Sequence, residues 1–373
     1  MSSTMKVWRI DRWGWRNLEE VTQAIPRPGP GEVLIRVRAV SLNYRDKVAL
    51  DGGEAAYGTP LPYTPVGDLA GEIAELGQGV ETSTVGDRVS VNFYLGWGDG
   101  EPVLDPKGRL NALSVDTQGT LAEYRVVPAA AVVRVPVSLS MEETATLPVA
   151  GVTAWTALVT LGRLQAEQSV LLLGTGGVSL FGLQFAKMFG ARAIVTSRSA
   201  EKLERAKTLG ASAVIDTRRH PDWAEQALAF TGGSGVDHIF ESVGGDSYRQ
   251  SAAAAAMGGR ITAVGFLGGD TVDAPLDRMI VRRLVIQGLS VGHRRSFEDM
   301  ITSIDLNGLK PVIDSVYDWA DTRQAFEHLE RGAFGKIVIR INPCGNLMAS
   351  ARAYHRFAPG AEVGPRAEMR HSR

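Results

Sequence analysis

Two textures of apolar and polar positions divide the chain. Over the first 135 or so residues the apolar positions fall in short runs, Val33–Val40, Ala70–Leu76, Arg88–Val91 and Ala122–Val127, separated by turn signals such as the Pro-Gly-Pro-Gly at 28–31. Short β-like runs broken by turn residues predict an all-β domain. Within it, Phe93–Gln118 is rich in glycine, holds two prolines and shows little periodicity, which predicts a long loop over the surface. From about Gly151 the pattern changes to strands at 170–173, 193–196, 213–215, 237–241, 260–264 and 284–288, alternating with helical segments. Six such strands predict an α/β doubly wound parallel sheet. Beyond it a helix at Phe297–Leu306, a segment Val312–Val316, a helix Arg323–Arg331 and a strand Lys336–Ile341 are expected to pack back on the β domain. The layout is therefore a first domain over 1–150 completed by 290–341, and a second over 151–289. The stretch 342–373 offers little apolar surface to offset the entropy of ordering and is expected to be a disordered tail.

The densest chemical signal lies between Val170 and Met188, VLLLGTGGVSLFGLQFAKM. An apolar strand runs into Gly174, Gly176 and Gly177, and a helix opens near Val178 with Val178, Phe181, Phe185 and Met188 on one face. Glycines let backbone N–H groups approach phosphate oxygens, and the positive end of the helix dipole points at the same anion. The string departs from the dinucleotide fingerprint, because the third glycine place holds Ser179, with Gly182 nearby. An ordinary strand-to-helix turn shares parts of this pattern; the order of the three elements favours a dinucleotide. The next strand ends in Ser197, Arg198 and Ser199, with Lys202 a turn further on, where an NAD site usually offers an acid. Hydroxyls and cations suit a 2′-phosphate, which an arginine can bond bidentately, so NADP(H) is expected. The same cations also suit a solvated helix start.

Composition narrows the partners. The 373 residues carry a net charge of −1, with 44% hydrophobic and 22% charged residues, so no global field favours nucleic acid or an anionic membrane, and a small-molecule substrate is expected. The first residues, MSSTMKVWRIDRW, lack the apolar run of a signal peptide, which gives a cytoplasmic expectation. Two uncharged stretches, Thr144–Gly162 and Gln168–Ala186, are interrupted by Pro148 and Gly151 and by the glycine turn, and are read as buried parts of a folded domain, not as membrane helices. The single cysteine, Cys344, and six histidines without HxxxH or HExxH spacing give no pattern for a metal site.

These features together resemble the medium-chain dehydrogenase/reductase superfamily, over about residues 5–341. The strings SLNYRD at 41–46, TLPVAGVTAW at 146–155, VLLLGTGGVSLFGLQFAK at 170–187 and EKLERAKTLGA at 201–211 are most similar to its zinc-free quinone oxidoreductase and zinc-type alcohol dehydrogenase-like branch. The resemblance implies a GroES-like domain, a Rossmann domain, a nicotinamide cofactor in the cleft between them, and a homodimer or homotetramer. It places Asn43 near the nicotinamide, Thr153 against the cofactor, and Gly265, Phe266, Leu267 and Ser290 along the nicotinamide side. Arg198 and Lys202 match positions used for the 2′-phosphate, whereas Thr217 stands where relatives often have a tyrosine near the adenine. In zinc-dependent relatives a cysteine and a histidine occupy the places of Asn43 and Gly67, and four structural cysteines occupy the lobe that here has none between Phe93 and Gln118.

Without a Lewis acid, an acceptor that delocalises its own charge is the natural substrate. The expectation is an NADPH-dependent reductase of a quinone or an α,β-unsaturated carbonyl compound. Tyr44 and Arg45 are the candidate donors, with Tyr94 on the loop as a third. Tyr44 also reads as a packed aromatic, and Arg45 as a partner of Asp46 or Asp68. A metal-free alcohol dehydrogenase or carbonyl reductase, and an NADPH-binding relative without turnover, are the alternatives.

Overall fold

A computed structural model describes residues 3–52, 60–106 and 108–341. Residues 1–2, 53–59, 107 and 342–373, including Cys344, lie outside the described residues.

The first sheet is built on β3 (Glu32–Leu42), which places Val33, Ile35, Val37 and Val40 in the core. Around it β14 (Ile313–Asp318), β15 (Lys336–Arg340), β4 (Ala70–Leu76), β5 (Arg88–Val91) and β7 (Val132–Arg134) line up in the order β14-β15-β3-β4-β5-β7, and β6 (Tyr124–Pro128) also pairs with β3. The last two strands of the described chain thus join the sheet built on β3. A separate pair, β1 (Thr4–Arg9) with β2 (Glu19–Ala24), is antiparallel.

The second sheet is six-stranded and parallel throughout, in the order β10-β9-β8-β11-β12-β13. Its strands are β8 (Ser169–Leu173), β9 (Arg192–Ser197), β10 (Ala213–Asp216), β11 (Val236–Glu241), β12 (Ala255–Ala263) and β13 (Val285–Gly288). β8 is buried along its whole length, as expected of a central parallel strand covered on both faces. The chain leaves β8 toward β9 on one side and later returns to place β11 on the other, so the switch point lies between β8 and β11. Ligands of such sheets sit outside the carboxyl ends of the strands there. β12 begins at Ala255, earlier than its apolar run suggests; the helix Ser247–Ala254 stops where Ala255 pairs with Val236. Alanine suits a helix well, and sheet pairing overrides that preference.

Between the sheets runs a helical stretch from Met141 to Thr160, with π-turns at Leu147–Gly151 and Thr156–Thr160. Ser140 and Glu143 cap its start reciprocally. Pro148 lacks an N–H and Gly151 packs against Met300, which fits a widened helix at this position.

Candidate active site

The glycine turn joins β8 to the helix Gly177–Met188. Gly174 takes φ +88, a conformation side chains resist, and its N–H donates to Thr196 Oγ1 at 3.1 Å. Gly176 is the N-cap and no side chain caps the helix, so the first-turn N–H groups stay open to an anion. A Cβ on Gly176 would meet nothing within 4 Å; one on Gly177 would lie 2.6 Å from Lys336 Cδ and 3.2 Å from Ala150 Cβ. The close packing of helix on sheet falls to Gly182, where a Cβ would stand 2.7 Å from Leu172 and 2.9 Å from Phe240. Ser179, in the third place of the motif, instead donates its hydroxyl to Leu173 O at 3.1 Å. This cradle fits a pyrophosphate.

At the end of β9, Ser197 Oγ accepts from Ser199 N at 3.1 Å, and Arg198 is exposed. Lys202 differs from expectation: its ammonium donates to Gly332 O at 3.1 Å and Ala333 O at 3.2 Å, so it already holds two carbonyls of the returning segment. On the far side of the switch point, Glu241 is fully buried and accepts from Val243 N, Gly244 N, Ser247 Oγ and Ser251 Oγ. It fixes the 242–247 turn, against which Leu267 N and Gly268 N bond to Ser242 O and Val243 O. Gly265 is half-buried, and Phe266 and Leu267 are exposed at the rim.

The N-terminal side of the cleft is built differently. Asp68 is fully buried and accepts from Ser41 Oγ at 2.7 Å, Asn43 Nδ2 at 2.8 Å, Val149 N at 3.0 Å and Lys336 Nζ at 3.2 Å. One carboxylate thereby ties β3, the helical stretch and β15 together. Thr153, expected at the cofactor, is buried and donates its hydroxyl to Val149 O at 2.7 Å. Asp46 is also fully buried, accepting from Asn43 N at 2.8 Å and Arg45 Nη1 at 3.2 Å. Burial pushes its carboxyl up to about 6, against the pull of the Arg45 guanidinium.

Arg45 faces inward, its guanidinium 4.7 Å from the centre of the Phe93 ring as well as bonded to Asp46. Tyr44, the first residue of the helix Tyr44–Gly52, is 51% exposed. Tyr94 is buried and its hydroxyl bonds the Ser290 hydroxyl, joining the first domain's loop to the end of the second. Phe93, Tyr94, Trp97 and His293 form a run of aromatic contacts with ring centres 4.9 to 5.7 Å apart. Two β-branched residues here take positive φ, Val66 at +77 and Val291 at +58. Such strain persists only where the surroundings enforce it, and it collects at functional sites.

A catalytic zinc would need its ligands at Asn43 and Gly67. Asn43 offers an amide already bonded to Lys336 and Asp68. The space beside Gly67 is filled, because a Cβ there would stand 2.9 Å from the Phe93 ring and 3.5 Å from Arg45 Nη1. A divalent cation needs thiolate, imidazole or carboxylate donors with room around them, and an ammonium 2.6 Å from Asn43 Oδ1 opposes one. These residues do not fit the metal. The sequence pattern points to Asp68 only as a partner of Arg45 and to Glu241 only as a strand end; nothing in it points to Lys336.

Among the described residues no helix is long and apolar enough to cross a membrane. The model of the alcohol dehydrogenase GroES-like domain matches residues 29–137, and that of the zinc-binding dehydrogenase matches 177–305. The chain is 38% identical over 339 residues to a zinc-type alcohol dehydrogenase-like protein of Schizosaccharomyces pombe, covering 88% of this chain and 96% of that one. A Sinorhizobium meliloti structure described as an alcohol dehydrogenase shares 42% identity and a TM-score of 0.87, over 91% of this chain and all of the other. Two mycobacterial structures, one of a protein complexed with NADPH and one of a quinone oxidoreductase, each share 25% identity and a TM-score of 0.75, over 90% of this chain. With a GroES-like domain, a parallel nucleotide-binding sheet and these relatives, the chain belongs to the medium-chain dehydrogenase/reductase superfamily of nicotinamide-dependent oxidoreductases.

Proposed function

We propose that this chain is a zinc-independent, NADPH-dependent reductase of a quinone or an α,β-unsaturated carbonyl compound. The observation that carries the reading is the filled space at Gly67, with Phe93 and Arg45 where a metal ligand would have to stand. When bound, the reduced nicotinamide supplies a hydride. Gly176, Gly177 and Val178 would hold the pyrophosphate through backbone N–H groups, Gly174 would shape the turn with its own N–H given to Thr196, and Ser197 with Arg198 would receive the 2′-phosphate. Asn43, Thr153, Gly265, Phe266, Leu267 and Ser290 border the nicotinamide. Arg45, bonded to Asp46, acts as a fixed positive charge. The exposed Tyr44 hydroxyl is the group able to hand a proton to the reduced oxygen. A conjugated acceptor needs no more, because hydride addition leaves charge that its own carbonyl spreads.

Stopped-flow loss of NADPH absorbance against quinones, enones, aldehydes and ketones tests this reading. Turnover of quinones or enones is expected. Turnover of simple ketones alone would establish the carbonyl reductase instead, and NADPH binding without any acceptor would remove catalysis.

The assembly proposed with this function is a homodimer. Among the described residues β13 is an edge strand, its Val285 is exposed, and so are Leu276, Ile280 and Val281 of the preceding helix Leu276–Arg282, which has no buried residue. An unpaired strand edge with an apolar helix beside it suits a second copy of the chain. Light scattering should give twice the chain mass, and Ile280→Glu should halve it; a monomeric wild type contradicts the dimer.

A further inference from the structure

The glycine turn and Asn43 sit in different domains, yet one side chain touches both. Gly335, at φ +92, donates its N–H to Thr175 O at 3.0 Å and bridges to Gly176, so the start of β15 runs beside the turn. The next residue, Lys336, lays its stem over Gly177, where a Cβ would come within 2.6 Å of its Cδ and 3.3 Å of its Cγ. Its ammonium then crosses to Leu42 O at 2.9 Å, Asn43 Oδ1 at 2.6 Å and Asp68 Oδ2 at 3.2 Å. An ammonium has three N–H groups, and here each has an acceptor. The side chain is 3% exposed, so no water competes for them.

This arrangement dictates the orientation of Asn43. An ammonium can only donate and an ionised carboxylate can only accept, so the amide oxygen must face Lys336 and the amide nitrogen Asp68. The second N–H of Nδ2 remains as the remaining donor of a half-buried side chain. Neither swinging Asn43 nor shifting the glycine turn is open without breaking a bond of Lys336 or unpacking its stem.

We infer that Lys336 is a positioning residue that ties the pyrophosphate seat to the Asn43 amide and so sets the separation between the phosphate and nicotinamide ends of the bound cofactor. The inference rests on the proposed place of Asn43 at the nicotinamide. A core ion pair with no such role can be exchanged for neutral residues of similar volume at little cost, whereas removing one partner alone leaves a buried charge. The full-length double variant Asp68→Asn/Lys336→Met therefore separates the two roles, since Met keeps the stem over Gly177 and Asn keeps an acceptor for Val149 N.

Two probes are titrated against wild type and double variant: 2′,5′-ADP, which reports only the adenosine half, and NADPH, whose fluorescence also reports the nicotinamide. In the double variant 2′,5′-ADP should bind within about twofold of wild type, NADPH should bind at least about tenfold more weakly, and the bound nicotinamide emission should fall toward that of free NADPH. Adding Asn43→Ala to the double variant should cause no further loss, because both changes remove one linkage. A folded double variant with wild-type NADPH affinity and emission overturns the inference. So does a double variant that does not fold, because Lys336 would then serve the core and not the cofactor seat. A wild type that binds 2′,5′-ADP and NADPH equally well contradicts the placing of Asn43 at the nicotinamide, and one that binds neither contradicts the cofactor reading itself.

Discussion

The two walls of the cleft treat their polar groups in opposite ways. On the parallel-sheet side, the turn at Gly174–Gly177 leaves its helix start uncapped and has open space at Gly176. On the β-domain side, Asp68, Asn43, Lys336, Asp46 and Arg45 are tied to one another by hydrogen bonds and ion pairs, which fix how the second amide N–H of Asn43 is presented. On the proposed function, the first wall would recognise by backbone and the second by a fixed arrangement of side chains. Changes to the second should therefore register in stability as well as activity, whereas changes at the open part of the first should register in binding alone.

The largest effect is expected at Asp68. Asp68→Ala strips acceptors from four donors and leaves the Lys336 ammonium buried without its counter-charge, which should lower unfolding free energy by about 3–5 kcal/mol. Urea unfolding measures this; a loss comparable to that of a surface substitution would mean that the network is not the keystone of that wall.

Asp46 gives the next largest effect, through pH. Burial raises its folded-state carboxyl to about 6 from the ordinary aspartate range, so it contributes stability that is fully present below that ordinary range and lost as pH rises through about 6. The loss is at most about 3 kcal/mol. Thermal unfolding followed from about pH 4 to pH 7 should show this decline in the wild type and not in Asp46→Asn. Parallel profiles for the two proteins would contradict the shift.

Within the glycine turn itself the comparison can be drawn one residue apart. Gly177→Ala forces a Cβ to within 2.6 Å of the Lys336 stem, which its ammonium bonds prevent from moving away. It should cost about 1–3 kcal/mol of stability together with NADPH binding. Gly176→Ala meets no protein atom within 4 Å and has φ −79, so it should leave thermal stability nearly unchanged and weaken NADPH binding alone. Equal effects on stability would show that the space at Gly176 is not the ligand's.

The smallest of these effects is at Arg198, exposed at the end of β9. Arg198→Ala should weaken NADPH about tenfold, about 1.4 kcal/mol, and leave NADH nearly unchanged. An equal loss for both cofactors would remove the 2′-phosphate from its side chain.

The difference between the walls also explains what could be read from the residues. The glycine turn was legible because its constraint is local: backbone approach and positive φ demand glycine within a few positions. All six strands were legible from apolar runs, and only the start of β12 lies earlier than its run, because Ala255 pairs with Val236. The second wall was not, because Asn43, Asp68 and Lys336 are separated by 25 and 268 positions along the chain. Nothing local distinguishes a lysine opening the strand KIVIR from a surface charge. Likewise Gly67 reads as a missing ligand in sequence, while the reason for it, the Phe93 ring lying against it, is a tertiary contact.

The central claim is that hydride transfer here proceeds without zinc. Its most direct test is NADPH oxidation by a quinone or enone acceptor, measured before and after exhaustive chelation with the metal content determined on the same sample. The account predicts an unchanged rate in protein free of zinc. A rate that disappears on chelation and returns on adding zinc would contradict it.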